Sequence, residues 1–122
     1  MARIFSGRTL SARDWLRLIV NRISRKIQPE KIILFGSYAY GRPRKHSDID
    51  LFIVWNTRET RPLRHLAVSK AIGPRFYPMD IVVRTPLELA ERKDWLDPFT
   101  HEIMTRGIVL YDRAQGRSPR VD

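Results

Sequence analysis

Along the first third of the chain, apolar residues recur every three or four positions. Trp15, Leu16, Ile19, Val20, Ile23 and Ile27 fall on one side of a helix, with Arg13, Arg17, Arg22 and Arg25 on the other. Ser11 stands where an N-cap is needed, Asp14 would complete a capping box with it, and Pro29 stops the run. The period then shortens to that of strands. "KIILF" (31–35) reads as a short buried strand ending at Gly36, followed by a short turn or helix from Ser37 to Gly41. "RPRKHS" is a polar loop, and "DIDLFIV" (48–54) a second strand. Thr60 and Pro62 open a helix that runs to Ile72, with Leu63, Leu66, Ala67, Lys70 and Ala71 at helical spacing and Gly73-Pro74 as its stop. "MDIVV" (79–83) is a third strand, and Thr85, Pro86 and Glu88 carry the signature of another helix start. Asp97-Pro98 opens one more helix, with Phe99, Ile103 and Met104 inward and Gly107 at its end; "IVLY" (108–111) is the last strand. Trp15, Trp95, Phe99 and Met104 are expected in the core, and residues 112–122 form a tail without periodicity, expected to be flexible. The order predicts an α/β (α+β) domain, a small mixed β-sheet of about four strands packed with helices.

Length and composition narrow this picture only a little. At 122 residues, with 43% hydrophobic and 30% charged side chains, the chain suits one globular domain spanning 1–122. No apolar run is long enough for a membrane span or a signal core, and no cysteine occurs, which together fit a cytoplasmic protein. Charge adds more. Of the formal +10, nearly all lies before residue 48, where eleven Lys and Arg face two acids; beyond it twelve face eleven. That distribution suits either a solvated basic helix face or a surface for a polyanion such as a triphosphate, nucleic acid or an acidic partner.

The acids themselves are oddly placed. Asp48 and Asp50 alternate with Ile49 and Leu51 in an apolar run, so both carboxylates point to one side, their backbones roughly 6.8 Å apart. Asp80 opens "MDIVV" in the same way, and if the two strands are neighbours three carboxylates face one point. Such anions repel unless cations lie between them, and an all-oxygen set without nearby His or Cys favours Mg²⁺ or Mn²⁺. Paired divalent ions on carboxylates serve nucleotidyl and phosphoryl transfer. Gly36-Ser37, between a strand and a helical turn, offers a close-approaching backbone, a hydroxyl and N–H donors for phosphates. Arg42, Arg44 and Lys45 could assist from the loop. Ser47 either braces the start of the strand or touches the metal shell, and His46 is expected to face solvent. Tyr38 and Tyr40 are expected to pack at the core or rim, with contact to a base or acceptor as the alternative.

Taken together, Gly-Ser, ten residues, Asp-Ile-Asp and a later strand Asp resemble the polymerase-beta-like nucleotidyltransferase superfamily. Within it, "GSYAYGRPRKHSDIDLFIV" is similar to the minimal nucleotidyltransferases (MNT) that accompany HEPN-domain toxins as antitoxins, and "IMTRGIVLYD" resembles that group's ending. The resemblance implies that Gly36 and Ser37 bind phosphate, that Asp48 and Asp50 bind two Mg²⁺ ions, and that Asp80 binds one and helps activate the acceptor hydroxyl. It implies transfer of NMP, AMP from ATP foremost, to a hydroxyl of a macromolecule, namely a tyrosine of a HEPN toxin, with homo- or hetero-oligomers as possible assemblies. Two alternatives stand beside it: a toxin-binding module without catalysis, and an RNA 3′-end nucleotidyltransferase whose basic segment tracks phosphates.

Overall fold

The computed structural model describes residues 11–41, 43, 47–91 and 97–115. Four strands form one sheet: β1 (Lys31–Phe35), β2 (Ile49–Val54), β3 (Met79–Arg84) and β4 (Ile108–Asp112), in the order β3-β2-β1-β4. β1 pairs antiparallel with both β2 and β4, whereas β2 and β3 run parallel, so the sheet is mixed as expected. The parallel pair needs a crossover, and α3 (Arg61–Ile72) supplies it.

α3 and α1 (Ala12–Ile27) cover one face of the sheet. Trp15, Ile19, Val20 and Ile23 from α1 meet Val68, Ala71 and Ile72 from α3 over Ile32, Leu34, Ile49, Leu51, Ile53, Ile81 and Val83. Ser11 caps α1 by accepting the Asp14 N–H at 3.0 Å, and the chain leaves it through a left-handed Gln28. The Asp14 side chain does not return the bond, so only half of the expected box forms. The opposite face carries a smaller core of Ile33, Phe35, Phe52, Val54 and Ile103. Its cover is α5 (Pro98–Arg106), with Leu89 of the short α4 (Pro86–Ala90) alongside. Among the described residues, no helix is long and apolar enough to cross a membrane.

Two expectations are corrected by the packing, and the buried side of α3 is set by it. In α3 the inward stripe is Arg64, Val68, Ala71 and Ile72, while Leu63 and Leu66 are about half exposed. The reason is polar: the Arg64 guanidinium donates to the Glu59 carbonyl and to Glu88 Oε1, both at 2.8 Å, and the helix turns to bury it. Phe99 is likewise about half exposed, resting edge-on against Phe35 while Thr100 and Ile103 face inward. The tail starts later than expected. Asp112 still pairs with Lys31, the Arg113 N–H donates to the Glu30 carbonyl at 2.9 Å, and Arg113–Gln115 make a 3₁₀ turn. Trp95 and residues 116–122 lie outside the described residues.

Candidate active site

The aspartates lie at one end of the sheet, on the face away from α1 and α3. Ile49 and Leu51 are fully buried under the two helices, and by alternation Asp48 and Asp50 turn to the other side with Phe52 and Val54. β2 itself begins at Ile49, so Asp48 sits just before the strand, exposed, and Asp50 within it, half-buried. The parallel register sets Asp50 beside Asp80, with Leu51 beside Ile81 and Phe52 beside Val82. A bond from the Ile49 N–H to the Pro78 carbonyl at 2.8 Å fixes that register where the acids are. The residues inferred from alternation in two separate strands are therefore brought together on one face.

Gly36 closes the arrangement from the other side. β1 pairs Phe35 with Asp50, which carries the next residue directly against the Asp50 side chain. A β-carbon at Gly36 would overlap an Asp50 carboxylate oxygen and stand 2.9 Å from its Cγ. The backbone there is also left-handed, φ 75° and ψ −158°, a conformation nearly confined to glycine. Both facts demand the same residue. Beyond it, the Ala39 and Tyr40 N–H groups donate to the Gly36 carbonyl at 2.9 Å and form the short α2 (Ser37–Tyr40), with Ser37 in its first turn.

α2 sends its two tyrosines in opposite directions. Tyr38 packs against the core under α1 and α3; Tyr40 packs against the core under α5. The expectation of core or rim packing holds for both. Ser47 is half-buried just ahead of Asp48. Arg42 and Lys45, together with Arg44 and His46, lie outside the described residues.

Electrostatics singles out Asp50. Burial first, and then the charges of Asp80 and Asp48, push its carboxyl up to about 6. Among the described residues every influence on it disfavours the ionised form. Among the described residues no group of three His, Cys, Asp or Glu side chains is drawn close enough to hold a metal ion ready-made. The chemistry of the donor set nevertheless fits a hard divalent cation: three oxygen donors on one face, with a central anion raised by its own neighbours. Hollows of about 240 Å³ (Glu30, Lys31, Asp112, Arg113, Ala114) and 220 Å³ (Arg61, His65, Ile81–Arg84) open elsewhere, at the far end of β1 and along the edge strand β3.

One charged neighbour of this face escapes a reading of the sequence. Arg106, in the last turn of α5, places its guanidinium carbon 4.6 Å from the centre of the Tyr40 ring. Nothing in the spacing of "IMTRG" marks it out, because the contact joins residues far apart in the chain.

Comparison with known proteins agrees with this geometry. The family described as "Polymerase beta, Nucleotidyltransferase" matches residues 18–116. The crystal structure at 1.40 Å resolution of a protein from Sulfolobus solfataricus, provisionally classed as a nucleotidyltransferase, superposes with a TM-score of 0.60. The match covers 84% of this chain and 82% of that one at 22% identity, and what it establishes is the shared fold. Among curated proteins there is no match. With most of its length inside the family match, including all three aspartates and the Gly36 turn, the chain belongs to the polymerase beta nucleotidyltransferase family.

Proposed function

We propose that the protein transfers a nucleoside monophosphate, AMP from ATP foremost, to a hydroxyl of a macromolecular acceptor. The observation that carries this reading is the parallel register that sets Asp50 beside Asp80, with Asp48 two residues ahead on the same face. Asp48 and Asp50 would hold two Mg²⁺ ions and Asp80 one of them. Bound there, the cations supply neutralisation of the phosphate charge and ease ionisation of the attacking hydroxyl. The chain's own residues do the rest. The backbone at Gly36 and the Ser37 hydroxyl hold phosphate oxygens, and Asp80 receives the acceptor proton as the acceptor oxygen bonds to the α-phosphorus. The bond to the leaving pyrophosphate breaks in the same displacement. Leu51 and Ile49, locked in the core, keep the carboxylates aimed.

The acceptor we propose is a tyrosine of a HEPN-domain toxin, with this chain as its antitoxin; support comes from the resemblance of residues 36–54 to the minimal nucleotidyltransferases. The test is transfer of label from α-labelled ATP with Mg²⁺ to a HEPN-domain protein, sought first in the adjacent reading frame. Label should appear on the partner and vanish with Asp48→Ala/Asp50→Ala. No transfer, together with full neutralisation by that double variant, would overturn catalysis in favour of a binding module.

A second reading has its own observation. Arg13, Arg25 and Lys26 are exposed on α1, none is in an ion pair with a described residue, and Asp14 is the one acid of the helix. Leu18 is the one large apolar side chain exposed on this helix, which suits a phosphate backbone better than a protein interface. If RNA is the acceptor, its affinity should fall with salt at a log–log slope of about −2 for three phosphate contacts. Lack of RNA binding at low salt removes this alternative.

A further inference from the structure

Arg106 lies over the ring of Tyr40, in the short helix that follows Gly36. Gly107, next in sequence, has no room for a side chain: a β-carbon there would run into Ile33 and come within 3.2 Å of the Leu34 carbonyl oxygen. The end of α5 is thus pressed onto β1 immediately ahead of Phe35 and Gly36. The guanidinium lies over the Tyr40 ring, and the Tyr40 N–H is bonded to the Gly36 carbonyl at 2.9 Å. Arginine, ring and glycine turn form one connected stack beside the aspartates.

Two further observations give the stack a direction. The Tyr40 hydroxyl is buried near the Gly36 backbone without meeting hydrogen-bond geometry, and has no partner among the described residues. Burial raises its pKa, the Gly36 backbone lowers it, and of the charges that reach it Glu102 and Asp50 raise it while Arg106 lowers it. The ion pair that Arg106 makes is with Glu102 and not with the aspartates. Its existing partner, Glu102 at 3.1 Å, is an exposed pair one helical turn away, the sort that contributes little and yields readily to a better anion.

We propose that Arg106, held over the Tyr40 ring, binds the outer phosphates of a nucleoside triphosphate whose α-phosphate lies at the aspartates. This rests on the nucleotidyl-transfer reading above. The ring takes up the face of the guanidinium, so its N–H edge, part of which now meets Glu102, can turn to two phosphate oxygens, a geometry lysine cannot reproduce. Tyr40 is a positioning residue here, and Arg106 the group that touches substrate.

The test compares binding of ATP and AMP, each with Mg²⁺, by displacement of a fluorescent nucleotide. Arg106→Ala should weaken ATP by about tenfold and leave AMP unchanged, so the preference for triphosphate shrinks; Arg106→Lys should recover only part. Tyr40→Leu should shift ATP in the same direction without moving AMP. The Arg106 side chain is 57% exposed, and a melting curve will verify that the variants stay folded. Equal ATP affinity in wild type and Arg106→Ala overturns this inference alone. Failure of the wild type to bind either nucleotide overturns the nucleotidyl-transfer reading as well.

Discussion

Replacing Asp50 by asparagine should make the protein more stable while removing its activity. The side chain keeps its shape and loses the charge that its surroundings resist. Asp50 has its pKa raised from 3.8 to about 6 by burial and then by Asp80 and Asp48. At about 1.4 kcal/mol per pKa unit, that shift corresponds to roughly 3 kcal/mol against the ionised fold. The carboxylate is only half-buried, and solvent screening reduces the figure to about 1–2 kcal/mol. Because the folded pKa is raised, the folded chain binds its proton more tightly than the unfolded one. Stability is therefore highest below the unfolded value of 3.8 and is lost as pH rises through about 6. Thermal melts in a chelator should place Asp50→Asn about 4–8 °C above wild type at pH 8, with the gain fading between pH 6 and 4. Millimolar Mg²⁺ should narrow the gap by stabilising the wild type. A variant no more stable than wild type at pH 8, or a gain unchanged down to pH 4, would refute an electrostatic origin.

Gly36→Ala meets both a left-handed backbone and the Asp50 carboxylate, and should cost about 2–4 kcal/mol in urea denaturation. Adding Asp50→Ala should return about 1 kcal/mol of that, and strict additivity of the two changes would show that the steric contact is unimportant. Glu88 offers the opposite pH sign. Burial acts to raise its pKa, but bonds from Arg64 and the Thr85 N–H and the charges of Arg64 and Arg61 outweigh this and hold it below the usual carboxylate range. Glu88→Gln should cost about 1–3 kcal/mol near neutral pH, a difference that shrinks as pH falls below about 4.5. A pH-independent cost would mean that the capping bond to Thr85, and not the ion pair, accounts for it.

Much of this was legible because local signals and global fold agree. β1 falls on the expected residues, the Thr85–Glu88 capping box forms in full, and alternation around Ile49 and Leu51 places Asp48 and Asp50 correctly. What failed did so where a tertiary contact outweighed periodicity. Leu63 and Leu66 look inward by spacing, yet the buried arginine of α3 turns the helix toward Glu88. The parallel pairing of β2 with β3 could only be supposed from sequence, since strand order depends on contacts between distant segments. Arg106 was invisible for the same reason: the ring it lies over follows β1, far back in the chain.

The divergent tyrosines of α2 bear on how a ligand would be met. A four-residue helix with one aromatic anchored in each of two hydrophobic cores works as a rivet through the end of the sheet. Such a segment has little freedom left to lose, so docking on Gly36 and Ser37 would spare most of the entropy that ordering a loose loop consumes. The bonded backbone amides of 39–41 should then exchange with solvent only when both cores loosen, which makes this short turn a sensor of the whole domain's cohesion.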